Sequence, residues 1–313
     1  MGTQGTQVWP FFLLTDERGA DLGWACVSGP VRPDQEPLFQ RIAARHRLLG
    51  FTSMSTFPDW RDPDDPRDWG TLCEAWCHCF RAPEAHLPAS RPRTLLAYSD
   101  FLDYTQAAPE RLGGPAQRER DFDFVYVCQD GPWYSRFKNW PLALRCLPVL
   151  CRDLGLRGLL IGRDPVPELD GLEDHVVVRG ALPWAELMRC LLRARFLLVT
   201  AELDASPRLL AEALAMDTPV LVNRRILGGW HYVTPFTGAF FDDEHDVAGA
   251  ARRVLEHPGS PRAWFRSHHG PLLAGARLAR LLGEIDPSLR RLSRAAVSFE
   301  LDEPVAAAAG ARR

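Results

Sequence analysis

The sequence predicts an α/β fold built from two halves, and three observations carry this prediction. The chain has 313 residues, which exceeds the usual size of one domain. Apolar strand-like runs alternate with amphipathic helical runs along most of it, as in parallel sheets covered on both faces. A polar stretch rich in helix breakers, "ERLGGPAQRERD" at 110–121, separates two such regions. We therefore expect a short first domain at 1–118, a second at 119–298, and a disordered tail at 299–313.

The first half reads as short elements with long polar connections. It contains the strand-like segments "FFLL" and "WACVS", the amphipathic helix "EPLFQRIAARH" and the strand "RLLGFTS". A Pro- and Asp-rich loop, "FPDWRDPDDPRDWG", follows. The strand "RTLLAYSD" closes the half and ends at Asp100, which makes Asp100 a candidate for contact with a substrate or for a catalytic base.

The second half alternates more regularly. Its predicted strands are "FDFVYVC", "RGLLIG", "HVVVRG", "RFLLVT" and "TPVLVN", and helical segments lie between most of them. In the helix "NWPLALRCLPVLCRDLG", Pro141 lies in the first turn, Gly155 ends the helix, and Pro148 predicts a kink. Long helices are expected to continue to about residue 296. In such sheets ligands bind beyond the carboxyl ends of the strands, so we expect one in the cleft between the halves.

Composition excludes several classes of protein. A net charge of −3 predicts no nucleic-acid partner. No apolar run reaches the roughly 20 residues of a transmembrane helix, and we expect a cytoplasmic protein. The absence of Gly-x-Gly-x-x-Gly argues against a dinucleotide-dependent dehydrogenase. Cys73, Cys77 and Cys79 lack the second ligand pair of a structural zinc site, so buried packing or a place in the wall of a binding cleft is favoured over zinc. Neither a metal nor another cofactor is expected.

The rarest residue types occur side by side. Lys138 is the only lysine of the chain, and Asn139 is one of two asparagines, the other being Asn223. Where composition replaces Lys by Arg almost everywhere, a retained Lys indicates a need for a compact ammonium group. Asn139 is expected to cap the helix that begins at Trp140 and Pro141.

The densest local signal is "TAELDASPRLLAEALAMDTPVLVN" at 200–223. Ser206 followed by Pro207 predicts a helix start, with Ser206 as the N-cap at the carboxyl end of a strand. The free N–H groups of such a helix end can bind an anion. Asp204 precedes the cap, and Glu212 lies within the helix, where its carboxylate can accept hydrogen bonds from a vicinal diol such as a ribose.

These residues resemble a family. Asp204-x7-Glu212, followed by "ALAMDTPVLVN" and "GGWHYVTPFTGAFF", resembles the donor-binding region of GT-B glycosyltransferases, especially glycosyltransferase family 4. Together, "SRFKNW", "DASPR" and "ILGGW" are most similar to glycosyltransferase-like proteins of large algal viruses and algae. The resemblance spans roughly residues 120–258. It implies a GT-B fold, in which the parallel sheets of two Rossmann-like domains face a cleft.

The resemblance also implies roles for individual residues. Glu212 would hold the donor ribose, and Asp204 would face the donor sugar and the reaction centre. Arg136 and Lys138 would bind the donor diphosphate and stabilise its charge as it leaves. Further donor contacts would come from the helix start, the segment after the third strand and the glycine pair at 228–229, namely Ser206, Arg208, Arg179, Gly180 and Gly229.

The sequence departs from the usual glycosyltransferase motif at several positions, so other roles for these residues stay open. Asp204 replaces the usual Glu, Asp217 stands where a helix-ending Gly is usual, and the first domain is short. Glu212 could instead lie on a solvated helix face, and Arg136 and Lys138 could be surface cations.

The sequence therefore predicts a nucleotide-sugar-dependent glycosyltransferase, a hexosyl- or pentosyltransferase that retains configuration and needs no metal. Its partners would be a nucleotide-sugar donor and an acceptor that could be a glycan, a protein or a small molecule. The alternatives are a nucleotide-sugar epimerase or a phosphorylase on the same fold, or a GT-B binding protein that has lost catalysis.

Overall fold

The structure is a computed structural model, and it describes residues 9–53, 55–59, 62–112, 120–169, 171–256 and 259–298. Its strands in chain order are β1 (Phe11–Asp16), β2 (Asp21–Val27), β3 (Arg47–Phe51), β4 (Ala75–His78), β5 (Arg93–Leu95), β6 (Phe122–Val127), β7 (Gly158–Ile161), β8 (Val176–Arg179), β9 (Ala194–Val199), β10 (Val220–Asn223), β11 (Gly238–Phe241) and β12 (Ala295–Ser298). Its α-helices are α1 (Glu36–Ala43), α2 (Trp69–Leu72), α3 (Pro132–Phe137), α4 (Trp140–Pro148), α5 (Trp184–Leu192), α6 (Arg208–Ala215), α7 (Val247–Leu255), α8 (Pro261–His268) and α9 (Pro271–Ile285). None of the described helices combines the length and the apolar character that crossing a bilayer requires.

The chain divides into two compact units. The first contains the residues up to Phe101 and those from Pro271 onward, and the second runs from Leu102 to Gly270. These bounds differ from the predicted domains, because α9 and β12 belong to the first unit and residues 102–112 to the second. Most of the predicted linker, at 113–119, and the whole predicted tail at 299–313 lie outside the described residues.

The first unit is built on a six-stranded sheet in the order β12-β1-β2-β3-β4-β5. Strands β2 to β5 pair in parallel, whereas β1 runs antiparallel to both β2 and β12. Three of the four predicted strands of this half and its predicted helix are present as β1, β2, β3 and α1. This sheet is therefore parallel over four strands, with an antiparallel edge made by strands from opposite ends of the chain.

Helix α9 returns to the first unit because its apolar face completes that unit's core. Leu278 and Leu282 are buried in one cluster with Trp24 and other apolar residues of the sheet. Just beyond the helix, Asp286 Oδ2 accepts hydrogen bonds from Trp24 Nε1 at 3.3 Å and from Arg47 at 3.1 Å. Burial and a charge-assisted bond together attach the end of the chain to β2 and β3.

The second unit contains an all-parallel sheet in the order β11-β10-β9-β6-β7-β8. Side chains of β6 alternate between two cores, since Phe124 and Tyr126 lie in one cluster and Val125 in the other. Helices α4 and α7 contribute to the first cluster, and α5, α6 and α8 to the second. The predicted parallel sheet covered by helices on both faces is confirmed.

Two local predictions need correction, and the helix that contains Pro148 changes its type at that residue. The segment "RTLLAYSD" is not one strand, because β5 ends at Leu95 and a 3-10 helix, Tyr98–Phe101, follows. Long helices do not continue to residue 296, because α9 ends at Ile285 and β12 pairs with β1. At Pro148, whose ring prevents the regular α-helical bond, α4 changes into a π-helical turn, Val149–Asp153.

The cysteine cluster is buried as predicted. Cys73, Cys77 and Cys79 have no exposed surface in the first unit. Burial raises the pKa of the Cys73 and Cys77 thiols far above the ordinary value, which keeps both thiols protonated. They pack as small apolar groups.

Candidate functional site

The candidate site lies where the strand order of the second sheet reverses. The chain proceeds from β6 outward through β7 to β8, and then returns to the other side of β6 with β9, β10 and β11. Strands β6 and β9 are therefore neighbours, and the loops that leave their carboxyl ends diverge. In open α/β sheets this switch point is the usual ligand-binding position.

The loop after β6 presents Lys138 between two helices. The short helix α3 ends at Phe137 with Lys138 as its C-cap, and α4 begins at Trp140. Asn139 has a left-handed backbone with φ of 52°, and its side chain accepts a hydrogen bond from the N–H of Leu142. The predicted cap at Asn139 is confirmed, whereas the preceding helix was not predicted.

The backbone and the ammonium group of Lys138 are both held. Its carbonyl oxygen accepts hydrogen bonds from Thr200 Oγ1 at 2.6 Å and Tyr126 OH at 3.3 Å. Its Nζ lies 2.8 Å from Asp204 Oδ2, and 4.9 Å from the centre of the Phe137 ring. A small cavity of about 20 Å³, room for about one water molecule, lies beside this ion pair. The pair thus joins the two diverging loops.

The loop that carries Asp204 is fixed by the segment after β10. The Asp204 carbonyl accepts a hydrogen bond from Gly228 N at 2.8 Å. A Cβ on Gly228 would lie 1.8 Å from the carbonyl oxygen of Ala205, so only glycine fits here. Gly229 has a φ of 68°, and a Cβ there would meet the Pro207 ring at 2.3 Å. These glycines allow close approach of the backbone to this loop.

The helix start was predicted one residue too early. Helix α6 begins at Arg208 with Pro207 as its N-cap, and Ser206 lies outside it. The N–H groups of Leu210 and Ala211 bond to the Pro207 carbonyl. Pro207 has a ψ of 84°, outside the helical range, so it lies before the helix and the first turn closes on its carbonyl. The helix end still lines the same cavity as Lys138 and Asp204.

Glu212 is buried and hydrogen-bonded, so the solvated-face alternative for this residue is wrong. Its side chain is 5% exposed. Its Oε1 atom accepts from Trp184 Nε1 and from Arg208 Nε, each at 2.9 Å. Trp184 was not predicted, because nothing in the sequence pairs the start of α5 with the middle of α6.

The other predicted donor residues are less enclosed. Arg136 is exposed on α3, and Arg179 is exposed at the end of the edge strand β8, where its carbonyl accepts from Gly162 N. A Cβ on Gly180 would meet nothing within 4 Å. Asp100 belongs to the first unit, where it is fully buried and accepts at 2.7 Å from the N–H of Ala97, the residue before its 3-10 helix.

One buried cation behind the site was missed by sequence reasoning. Arg163 follows β7, is 7% exposed, and lies over the Trp140 ring at 4.5 Å. It donates to Ser135 Oγ at 2.5 Å and to the Gln129 carbonyl at 3.2 Å. These contacts hold the segment between β6 and Lys138 in place. The sequence offered one indirect signal for this role: β6 and β7 were both predicted as strands, and residues that follow two adjacent parallel strands lie at the same edge of the sheet.

Comparison with known proteins identifies the fold. No protein-family model matches the sequence, and neither does any curated protein. Among solved structures, a point mutant of S. aureus TarM in complex with fondaparinux, alpha-GlcNAc-glycerol and UDP has a TM-score of 0.53 and 11% identity, over 77% of this chain and 51% of TarM. The lipopolysaccharide outer core galactosyltransferase WaaB has a TM-score of 0.59 and 14% identity, over 78% of this chain and 70% of WaaB. AviGT4, a glycosyltransferase involved in avilamycin A biosynthesis, has a TM-score of 0.53 and 15% identity, over 85% and 80%.

These likenesses establish the GT-B fold. In this chain the fold consists of two parallel-rich sheets of six strands each, with helices. The chain spans about half the length of TarM. Closeness to glycosyltransferase family 4 and to algal-virus proteins stays a prediction.

Proposed function

We propose that this protein is a glycosyltransferase that moves a sugar from a nucleotide-sugar donor to an acceptor. The observation that carries the proposal is the Lys138–Asp204 pair, 2.8 Å apart at the switch point of an all-parallel sheet and beside the N-terminal end of α6. A cation and a helix N-terminus in this position suit a diphosphate. TarM, which has the same fold, was solved with UDP.

The donor diphosphate would bind at Lys138 and the first turn of α6. An ammonium group has three N–H donors, so Lys138 can keep its bond to Asp204 and still donate to phosphate oxygens. Arg136, exposed in α3 two residues before Lys138, adds a second cation. These groups would neutralise the charge that develops on the leaving diphosphate, and the proposed reaction therefore needs no metal ion.

The nucleoside would bind along α6. Oε1 of Glu212 already accepts from Trp184 and Arg208, which leaves Oε2 to accept a ribose hydroxyl. Arg179 and Gly180, after β8, would line the base pocket, where the open space around Gly180 leaves room for a ligand. Gly229 and the Ser206–Pro207 turn would shape the wall near the phosphates.

Asp204 would face the transferred hexose or pentose, with Lys138 fixing its carboxylate. We propose retention of configuration, as the resemblance to family 4 implies. The acceptor would be a glycan, a protein or a small molecule. Asp100 is given no role in acceptor binding or catalysis, because it has no exposed surface within the first unit.

A panel of UDP-, GDP- and ADP-linked sugars tests the proposal in the presence and absence of EDTA. We expect at least one donor to raise the melting temperature and to be hydrolysed slowly without an acceptor, with EDTA having no effect. The proposal fails if no nucleotide sugar stabilises the protein. A donor that stabilises it but is neither hydrolysed nor transferred would indicate a binding protein. A donor whose sugar is interconverted without an acceptor would indicate an epimerase.

A further inference from the structure

We infer that Glu202 is a positioning residue for Lys138, and that it acts through the only two asparagines of the chain. The inference rests on the proposed function, in which the position of Lys138 decides how the diphosphate is bound. It concerns a carboxylate to which neither the fold nor the sequence motif assigns a role.

Both asparagines donate to the same oxygen atom. Asn139 Nδ2 lies 3.0 Å from Glu202 Oε1, and Asn223 Nδ2 lies 3.5 Å from that atom and 3.0 Å from the carbonyl oxygen of Thr200. Asn139 belongs to the loop after β6, Glu202 to the loop after β9, and Asn223 ends β10. One carboxylate therefore joins the carboxyl ends of three strands.

The position of Asn139 requires two properties that only asparagine combines. Its φ of 52° lies in the left-handed region, which Asn and Asp tolerate better than other non-glycine residues. Its Oδ1 caps α4 at Leu142 N, and its Nδ2 donates to Glu202. Aspartate could adopt the backbone and form the cap, but its carboxylate would repel Glu202.

Glu202 is itself held firmly. Its carbonyl oxygen accepts from Leu227 N at 2.9 Å. Asn223 is fully buried, and its Oδ1 accepts from Arg225 N at 3.0 Å, which fixes its amide orientation. Two residues after Glu202, Asp204 receives the Lys138 ammonium. The short segment 202–204 thus makes two contacts with the loop after β6. Asp204 holds the side chain of Lys138, and Glu202 holds the neighbouring Asn139.

The experiment exchanges donor and acceptor across the Asn139–Glu202 contact. Asn139→Asp keeps the backbone and the cap but places two carboxylates together. Adding Glu202→Gln restores the contact, because the new amide donates to the carboxylate at position 139 while its oxygen still accepts from Asn223. Glu202→Gln alone keeps an acceptor oxygen and should resemble wild type. Glu202→Ala removes the acceptor and is the second variant if Asn139→Asp does not fold.

The single lysine provides the readout. An amine-directed acylating reagent can modify only Lys138 and the N-terminal amine, so peptide mass spectrometry gives the rate at Lys138 relative to an internal standard. We expect Asn139→Asp and Glu202→Ala each to raise the relative rate about tenfold, because the charge-assisted bond between Asn139 and Glu202 no longer favours the arrangement in which Lys138 pairs with Asp204. Protection of Lys138 by inorganic pyrophosphate should weaken by a similar factor. The double variant should return both quantities toward wild type.

A purely structural contact would change the melting temperature without changing acylation of Lys138, and that result would overturn the inference. Equal acylation rates in Asn139→Asp and the double variant would do so as well. If pyrophosphate fails to protect Lys138 in wild type, the proposed diphosphate site fails. The acylation rates of the variants would still decide the role of Glu202, so the two failures are distinguishable.

Discussion

Lys138 Nζ lies 2.8 Å from Asp204 Oδ2, although 66 positions of sequence separate the two residues. Two adjacent parallel strands, β6 and β9, bring them together, since each residue lies in the loop that follows one of these strands. The pair is partly exposed, with Lys138 at 25% and Asp204 at 10%. A ligand can therefore reach the ammonium without the pair having to separate.

Lys138→Ala should lower kcat for the donor by roughly 10²–10³-fold, the usual effect of removing a group that stabilises charge in the transition state. Lys138→Arg should recover only part of the activity, because the planar guanidinium fork does not reproduce a compact ammonium. Steady-state kinetics with the donor found in the panel measures both effects. Arg252→Ala, at an exposed position of α7, is the matched control. Wild-type kinetics for Lys138→Ala would contradict the assigned role.

Trp184→Phe should weaken donor binding by up to about tenfold and leave kcat nearly unchanged. The substitution removes the indole N–H that orients Glu212, and one such hydrogen bond contributes roughly 1 kcal/mol. Titration calorimetry with the donor or with its free nucleotide measures the change. Trp264→Phe in α8 controls for loss of an indole elsewhere in the unit. An effect confined to kcat would exclude a ribose-binding role for Glu212.

Gly228→Ala should reduce activity at least tenfold, because its Cβ would lie 1.8 Å from the Ala205 carbonyl oxygen and force the Asp204 loop to move. Gly249→Ala is the control, since its Cβ has only an ordinary contact at 3.7 Å. Activity and the acylation rate of Lys138 should change together in Gly228→Ala. If neither quantity changes, the glycine contact does not position Asp204.

Asp217 stands where the glycosyltransferases that the sequence resembles usually have a glycine, and its contacts explain why an aspartate fits there. It lies just beyond α6, after the C-cap Met216, and has a left-handed φ of 60°, where glycine is usual. Its Oδ1 accepts from Ser260 Oγ and Arg262 N at the start of α8. Asp217→Ala should lower the unfolding free energy by about 2 kcal/mol, through both backbone strain and the lost cap. Asp217→Asn should cost less than about 1 kcal/mol. Denaturant unfolding compares them, and equal losses would contradict a left-handed requirement.

Acid should destabilise the first unit through Glu74 and Asp286, the two carboxylates that bind Arg47 of β3. The Arg47 hydrogen bond lowers the pKa of Glu74, and the Ser288 hydrogen bond, with Trp24 and Arg47, lowers the pKa of Asp286. The unfolded chain therefore binds more protons, so the stability these groups contribute is present above roughly pH 5 and is lost as pH falls below about 4. Melting temperatures from pH 7 to pH 3 should fall less steeply in Arg47→Met. If the melting temperatures of wild type and Arg47→Met fall equally with pH, the carboxylates bound by Arg47 are not the source of the acid sensitivity.

Local sequence patterns were enough to predict much of the fold. Apolar runs identified β6 to β10 and most of their helices, because a strand buried on both faces is apolar throughout and a helix end uses particular residues. The cap at Asn139 was predicted on the same grounds. Ser206 shows the limit of this reasoning, since a Ser-Pro pair permits two helix starts and the structure begins α6 one residue later.

The sequence by itself determined the class of fold, the second sheet and the importance of Lys138, Asp204 and Glu212 as candidates. Only the tertiary structure decided which of them meet, because parallel pairing brings together strand ends that are distant in sequence. It also decided that α9 and β12 return to the first unit, and that Trp184 holds Glu212. The contact of Asn139 and Asn223 with Glu202 was likewise decided by the tertiary structure. Both asparagines were noticed in the sequence because this residue type is rare in the chain. Only the arrangement of β6, β9 and β10 revealed the carboxylate that they share.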